Sequence, residues 1–296
     1  MNLFRYLVQL ILINTLSCTL AFALPAPARL TVVLVIDQCS HTLLQKVEPY
    51  LRGGLSLLLK NGIVYTNSYY PHALPETAPG HAGLSTGTLP KDHGIIANTW
   101  YDQRGTAVIS DVDPSTTMLL PAQSTEPGKS SMHMMVDGLS DQYMLASTPT
   151  KPHHAVALSL KSRAATALAS KMCKAIWFDD KNGFFTSSSA YFSELPAWVT
   201  DFNGTKKINE LQEFSWHLAY APTSAAYAFN YANDYAFTGK EQGLIGKITP
   251  IDRTNKEAFS SFIKTPHANQ LLLDLALTCV DQYISKKSHA CYRFKF

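Results

Sequence analysis

Ala155-Val156-Ala157-Leu158-Ser159-Leu160 is an apolar run of strand length that leads through Lys161-Ser162-Arg163 into Ala164 to Lys171, a stretch of good helix formers. A strand that is apolar along its whole length must be covered on both faces, so this stretch predicts a β-α unit with a parallel strand in an α/β domain. Downstream, Ala175-Ile176-Trp177-Phe178 and Phe184-Phe185-Thr186-Ser187 flank Asp179 to Gly183, where Asn182-Gly183 favours the positive φ angles of a hairpin turn. Upstream, Leu30-Thr31-Val32-Val33-Leu34-Val35-Ile36 has the same buried-strand pattern and stops at Asp37. Helices are predicted through Leu43 to Val47 and Leu55 to Lys60, the second closed by Asn61-Gly62, and Ile63 to Tyr70 then returns as a strand rich in Tyr, Thr and Val. Asn269 to Ile284 has apolar residues at helical spacing and predicts a helix lying on the core.

The chain of 296 residues carries 25 Lys+Arg against 22 Asp+Glu, a net charge of +3, which excludes a strongly basic nucleic-acid binder. Apolar residues make up 46% and charged residues 16%, so the chain can bury a large core without help from disulfides or metal. Leu7 to Leu20 follows Arg5 and ends before Ala21-Phe22-Ala23, the small-residue spacing of a signal-peptidase site. This apolar run is shorter than the roughly 20 residues that cross a bilayer, so it predicts a signal peptide, no membrane anchor after cleavage, and a periplasmic or secreted protein. Cys39, Cys173, Cys279 and Cys291 remain after cleavage with no C-x-x-C pair; they allow three disulfide pairings, and buried thiols equally.

Several residues could do chemistry. Asp37 ends an apolar strand, where open α/β sheets bind ligands, and a carboxylate there holds a metal or simply caps a helix. In Pro75-Glu76-Thr77-Ala78-Pro79-Gly80-His81-Ala82, Pro79 fits a first helical turn. Thr77 then lies at a helix N-terminus with unpaired backbone N–H groups aimed at whatever its hydroxyl attacks, or is merely an N-cap. His81 reads as a residue that orders this loop. Asn98, in His93-Gly94-Ile95-Ile96-Ala97-Asn98, can offer its amide N–H to a phosphoryl oxygen, and Lys161 and Arg163, two apart in extended chain, project from one side and can clamp a dianion.

The order of these pieces resembles the alkaline phosphatase superfamily: an apolar strand ending in Asp37-Gln38, then Thr77-Ala78-Pro79-Gly80-His81, His93-Gly94-Ile95 with Asn98-x-Trp100-Tyr101-Asp102, and Lys161-x-Arg163. It is most similar to the secreted bacterial alkaline phosphatases with a threonine nucleophile, relatives of the type I phosphodiesterases/nucleotide pyrophosphatases. The similarity extends through Trp177-Phe178, Glu194-Leu195-Pro196-Ala197-Trp198-Val199 and Thr265-Pro266-His267-Ala268-Asn269.

The resemblance implies a three-layer α/β/α sandwich with a mixed sheet, and two zinc ions bridging the phosphate of a small phosphorylated substrate. It implies Asp37 and Thr77 as ligands of one zinc, Thr77 as the catalytic nucleophile forming a phosphothreonine, and Asn98, Lys161 and Arg163 as phosphate-binding groups. The Lys-x-Arg pair favours monoesters over diesters.

The resemblance also implies that the remaining zinc ligands belong to a second half that this sequence does not contain; Asp92-His93 belongs to the first-half motif, and His153 and His154 precede the strand of Lys161. The chain therefore reads as C-terminally truncated, with an incomplete zinc set. Its organisation is a signal peptide over 1–23, the N-terminal part of the phosphatase core over 24–190, an aromatic-rich insertion or cap over 191–262, and a core helix with an atypical tail over 263–296. The function read from this is the family's metal-dependent hydrolysis of phosphate monoesters through a phosphothreonine, for which this chain alone lacks most zinc ligands, with a C-terminal fragment as a candidate complementing partner. The alternatives are a non-catalytic phosphate-binding remnant and a phosphodiesterase or nucleotide pyrophosphatase.

Overall fold

A computed structural model describes residues 30–121, 125–205, 213–215, 248–250 and 258–284. The signal peptide expected over 1–23, most of the aromatic-rich stretch between 206 and 257, and the tail after 284 lie outside the described residues. The chain divides into two units, Met1–Ser40 and His41–Phe296.

In the first unit the expected strand Leu30 to Ile36 does not form. The run carries no strand pairing, and Val32 and Leu34 are 70% and 68% exposed. A β-branched run encodes a strand only when neighbours supply the ladder and cover both faces, and no described strand pairs with it. Asp37 and Gln38 form a turn, with Gln38 at φ 61°, closed by a Cys39 N–H to Ile36 carbonyl bond of 3.3 Å.

The second unit begins with helix α1 (His41–Val47), a 3-10 turn (Glu48–Tyr50) and helix α2 (Gly53–Asn61). Gly62 ends α2 as expected, though in extended backbone (φ −89°, ψ 178°) rather than a left-handed cap. The strand expected over Ile63 to Tyr70 is also absent; Ile63 is 84% and Tyr65 77% exposed, so aromatic and β-branched content alone does not create a ladder. Helices α3 (Thr77–Thr86) and α4 (Pro90–His93) follow, then the hairpins β1 (Thr99–Tyr101)/β2 (Ala107–Ile109) and β3 (Val112–Thr117)/β4 (Pro127–Lys129), both antiparallel, and α5 (Leu139–Leu145).

The core is built on β5 (Val156–Ser159), α6 (Ser162–Ala169), β6 (Lys174–Asp179) and β7 (Phe184–Thr186), so the β-α unit and hairpin read from the sequence are present. β5 pairs parallel with β6, and β6 antiparallel with β7, giving a mixed three-stranded sheet. Alternation along β6 explains why it is buried on both faces. Ala175 and Trp177 face α6, packing with Ala165, Ala169 and Cys173, while Ile176 and Phe178 face the opposite layer.

That second layer is α7 (Ala197–Asn203), α8 (Ala258–Phe262) and α9 (Pro266–Ile284), which supply Val199, Phe202, Phe259, Phe262, Leu271 and Leu275. The arrangement is an α/β/α sandwich with a mixed sheet, and both ends of the 191–262 stretch contribute to its core through Tyr191, Phe202 and Phe259. A further antiparallel pair joins Glu213–Ser215 to Ile248–Pro250. Among the described residues no helix is long and apolar enough to cross a membrane. Cys39, Cys173 and Cys279 are unpaired thiols. Burial raises both buried thiols above their ordinary range, Cys279 to about 11, so they are protonated, inert packing groups at neutral pH.

Candidate functional site

Thr77 is the first residue of α3, after Glu76 in extended backbone at the N-cap (φ −85°, ψ 167°). The opening turn of a helix leaves its N–H groups without intrahelical partners. Their destinations here differ from the sequence expectation that they aim at a bound anion. The Ala78 N–H donates to Asn98 Oδ1 at 2.9 Å, Pro79 has no N–H, and the Gly80 N–H donates to the Glu76 carbonyl at 3.0 Å. The Asn98 side chain, twenty residues along the chain, therefore takes the capping role that the Glu76 side chain does not perform.

A second bond runs the other way: the Asn98 backbone N–H donates to Glu76 Oε2 at 2.6 Å. Thr77 and Asn98 are thus brought together by a reciprocal pair of hydrogen bonds on either side of residue 77. His81 is buried, with Nδ1 2.7 Å from the Thr77 carbonyl oxygen, so it orders the same turn.

Lys161 and Arg163 do not form the extended i, i+2 pair that the sequence suggests. Lys161 is the N-cap of α6 (φ −130°, ψ 130°) and Arg163 lies in its first turn; the Lys161 carbonyl accepts the Ala164 and Ala165 N–H groups, each at 3.2 Å. They remain at the carboxyl end of β5, where a parallel βα unit presents ligand-binding groups.

The α3 and α6 helices pack through small residues, with Ala78, Ala82 and Ala167 in one buried cluster. Gly138 wedges between their C-terminal ends: its N–H bonds to Ser170 Oγ at 3.2 Å, and a Cβ there would overlap the Ser85 hydroxyl. The C-terminal ends of α3 and α6 thus meet at Gly138.

His93 and His153 each engage a neighbour through Nδ1. His93 is fully buried and its Nδ1 accepts the Ile95 N–H at 3.1 Å, which leaves the neutral ring protonated at Nε2 rather than open to a metal there. Burial, helped by the charge of nearby His72, holds the His93 pKa below the ordinary 6.5. The unfolded chain therefore takes up a proton as pH falls through 6.5 ahead of the native chain, so stability falls on acidification. Urea unfolding at pH 7.5 and 5.5 is expected to show this loss in the wild type and a smaller one in His93→Asn. His153 stacks on Tyr143 with ring centroids 4.4 Å apart, and its Nδ1 lies 2.9 Å from the Tyr143 carbonyl oxygen.

Asp37 belongs to the other unit and is exposed at its turn. Among the described residues no group of three or more His, Cys, Asp or Glu side chains could hold a metal ion, so the residues present do not fit a zinc site.

Known proteins resemble this chain over most of its length. The model of the type I phosphodiesterase/nucleotide pyrophosphatase family matches residues 31–282. Alkaline phosphatase PhoV of Synechococcus elongatus is 26% identical over 257 residues, 86% of this chain and 46% of the relative. Alkaline phosphatase PafA of Elizabethkingia meningoseptica is 30% identical over 273 residues, 88% of this chain and 48% of the relative. A crystal structure of a PafA variant, with one threonine changed to serine and an asparagine, a lysine and an arginine changed to alanine, matches with TM-score 0.68 at 25% identity, covering 83% of this chain and 48% of that one. The chain spans about half the length of the curated relatives it matches.

Proposed function

Because the chain belongs to the type I phosphodiesterase/nucleotide pyrophosphatase family, we propose that it carries the nucleophile and the phosphate cradle of a phosphomonoester hydrolase. In this reading the Thr77 oxygen attacks phosphorus, the bond to the leaving alcohol breaks, the proton lost by the Thr77 hydroxyl ends on that alcohol, and water later hydrolyses the phosphothreonine to free Thr77 and inorganic phosphate. Asn98, Lys161 and Arg163 take the non-bridging oxygens. A monoester presents a dianion and a diester a monoanion, so two cations at one helix N-terminus favour the monoester.

The observation that carries the reading is the Ala78 to Asn98 bond, which holds the Asn98 amide against the Thr77 turn, on a helix that packs against the α6 helix begun by Lys161, Ser162 and Arg163. The residue types substituted in the PafA variant support it: its threonine and asparagine are 21 positions apart and its lysine and arginine two apart, the same spacings as Thr77 to Asn98 and Lys161 to Arg163.

As sequence expectations, Asp37 and Thr77 supply at most two zinc ligands where a site takes three or four. The signal-peptide pattern over 1–23 supports export to the periplasm or beyond. The ligand set of the described residues favours a second reading, a phosphate binder that does not turn over.

Hydrolysis of an aryl phosphomonoester and an aryl phosphodiester, with and without Lys161→Ala, tests the assignment, together with the affinity for inorganic phosphate. Monoester turnover is expected to drop about 100-fold and phosphate affinity to weaken, with diester turnover changed far less. Phosphate binding with no turnover of either ester selects the second reading. A monoester rate and phosphate affinity both untouched by Lys161→Ala refute the clamp.

A further inference from the structure

We propose that Glu76 is the positioning residue of the anion cradle, its carboxylate fixing residue 98 so that the Asn98 side chain caps the Thr77 helix and turns its Nδ2 hydrogens outward. The proposal rests on the phosphate-cradle reading above.

Three features lead to it. An amide has one accepting oxygen and one donating nitrogen, and a backbone N–H can face only the oxygen, so the Ala78 N–H dictates which way the Asn98 side chain points. A flipped amide would set donor against donor. With Oδ1 held at Ala78, the two Nδ2 hydrogens are the groups left to face a phosphoryl oxygen.

The first turn of α3 offers an anion few backbone donors of its own, because the Ala78 N–H is committed, Pro79 has none and the Gly80 N–H is bonded within the helix. The positive end of the helix therefore reaches an anion by way of the Asn98 amide, which a donor on Oδ1 polarises into a stronger donor at Nδ2.

This relay needs the backbone at 98 to stay in place, and the 2.6 Å bond from its N–H to Glu76 Oε2 is what ties it down. Asn98 enters β1 from a loop, and the Ser110 N–H to Asn98 carbonyl bond of 3.0 Å anchors its other side. Glu76 makes no side-chain cap of its own helix, so its carboxylate is spent on residue 98 rather than on α3.

The test compares Glu76→Ala, which removes the acceptor, with Glu76→Gln, which keeps an acceptor oxygen and drops the charge. The probe is inorganic phosphate titrated into the full chain, followed by amide resonances, with hydrogen exchange of the Asn98 backbone and side-chain amides as the second measurement. Wild type is expected to show a phosphate-induced shift at Asn98 Nδ2 and slow exchange of its backbone N–H. Glu76→Ala is expected to bind phosphate about tenfold more weakly and to lose the exchange protection at 98.

Glu76→Gln restores both, which a role in overall stability alone would not produce. Unchanged protection in β5 and β6 marks the variants as folded. Wild-type phosphate affinity in Glu76→Ala, with affinity lost in Lys161→Ala, overturns the proposal and leaves the cradle standing. Absence of any phosphate-induced shift at Asn98 in the wild type overturns the cradle reading and the proposal with it.

Discussion

Replacing Phe185 with alanine is expected to lower the free energy of unfolding by about 3–5 kcal/mol, the largest loss anticipated for a single side chain in this domain. Phe185 is fully buried in the layer between the sheet and α7–α9. Its ring sits edge-on to Phe178 with centroids 5.3 Å apart and to Phe202 at 5.8 Å, so truncation opens a cavity lined by two other aromatics that cannot both move into it. The backbone at 185 is pinned as well. Asn203 accepts its N–H at 2.9 Å and donates to its carbonyl at 2.7 Å, which prevents the strand from sliding to refill the gap. A urea midpoint measured at constant m-value checks this. A loss under about 1 kcal/mol would mean that the surrounding layer collapses freely and that the aromatic cluster is not a rigid core.

Gly183→Ala is expected to cost about 2–5 kcal/mol, from two separable causes. Gly183 has φ +78°, in the left-handed region where a Cβ costs about 1–2 kcal/mol. A Cβ there would also overlap the buried Phe259 ring, so either the ring or the loop must move. The loop has little freedom to yield: Asp179 accepts the Lys181 N–H at 3.0 Å and the Asn182 side-chain amide at 2.6 Å, and its carbonyl accepts the Gly183 N–H at 2.7 Å. The double variant Gly183→Ala/Phe259→Leu separates the causes. If steric overlap dominates, the second substitution offsets part of the loss; if backbone strain dominates, the two losses add, as independent sites do.

The hairpin around Gly183 shows how a sequence signal can be right about an element and wrong about its geometry. Asn182-Gly183 marks a reversal of the chain, and β6 and β7 do pair across it, with Asp179 opposite Phe184. The loop is longer than the two-residue turn that such a dipeptide favours, and the positive φ falls on Gly183 without Asn182. The Asp179 side chain takes two local donors, an alternative to a tighter turn that composition does not reveal.

The site follows the same division. Thr77, Asn98, Lys161 and Arg163 were legible as residue types in a particular order, and the helix start at Thr77 was legible from Pro79. The role of Glu76 was not, although it stands beside Thr77. Its importance comes from a bond to residue 98, and a carboxylate ahead of a helix ordinarily reads as a favourable charge at the N-terminus and nothing more.

By itself the sequence determined the β-α unit of β5 and α6, the β6–β7 hairpin and the long α9 helix, because each is written in local periodicity and turn residues that act over a few positions. Tertiary structure decided where the α3 N–H groups go, that α3 packs on α6 through alanines, and that Leu30 to Ile36 and Ile63 to Tyr70 form no strands. Hydrogen-bond partners twenty residues apart, helix direction and strand pairing depend on what lies alongside in space. Such neighbours are fixed when the layers assemble, and side-chain spacing along the chain carries no record of them.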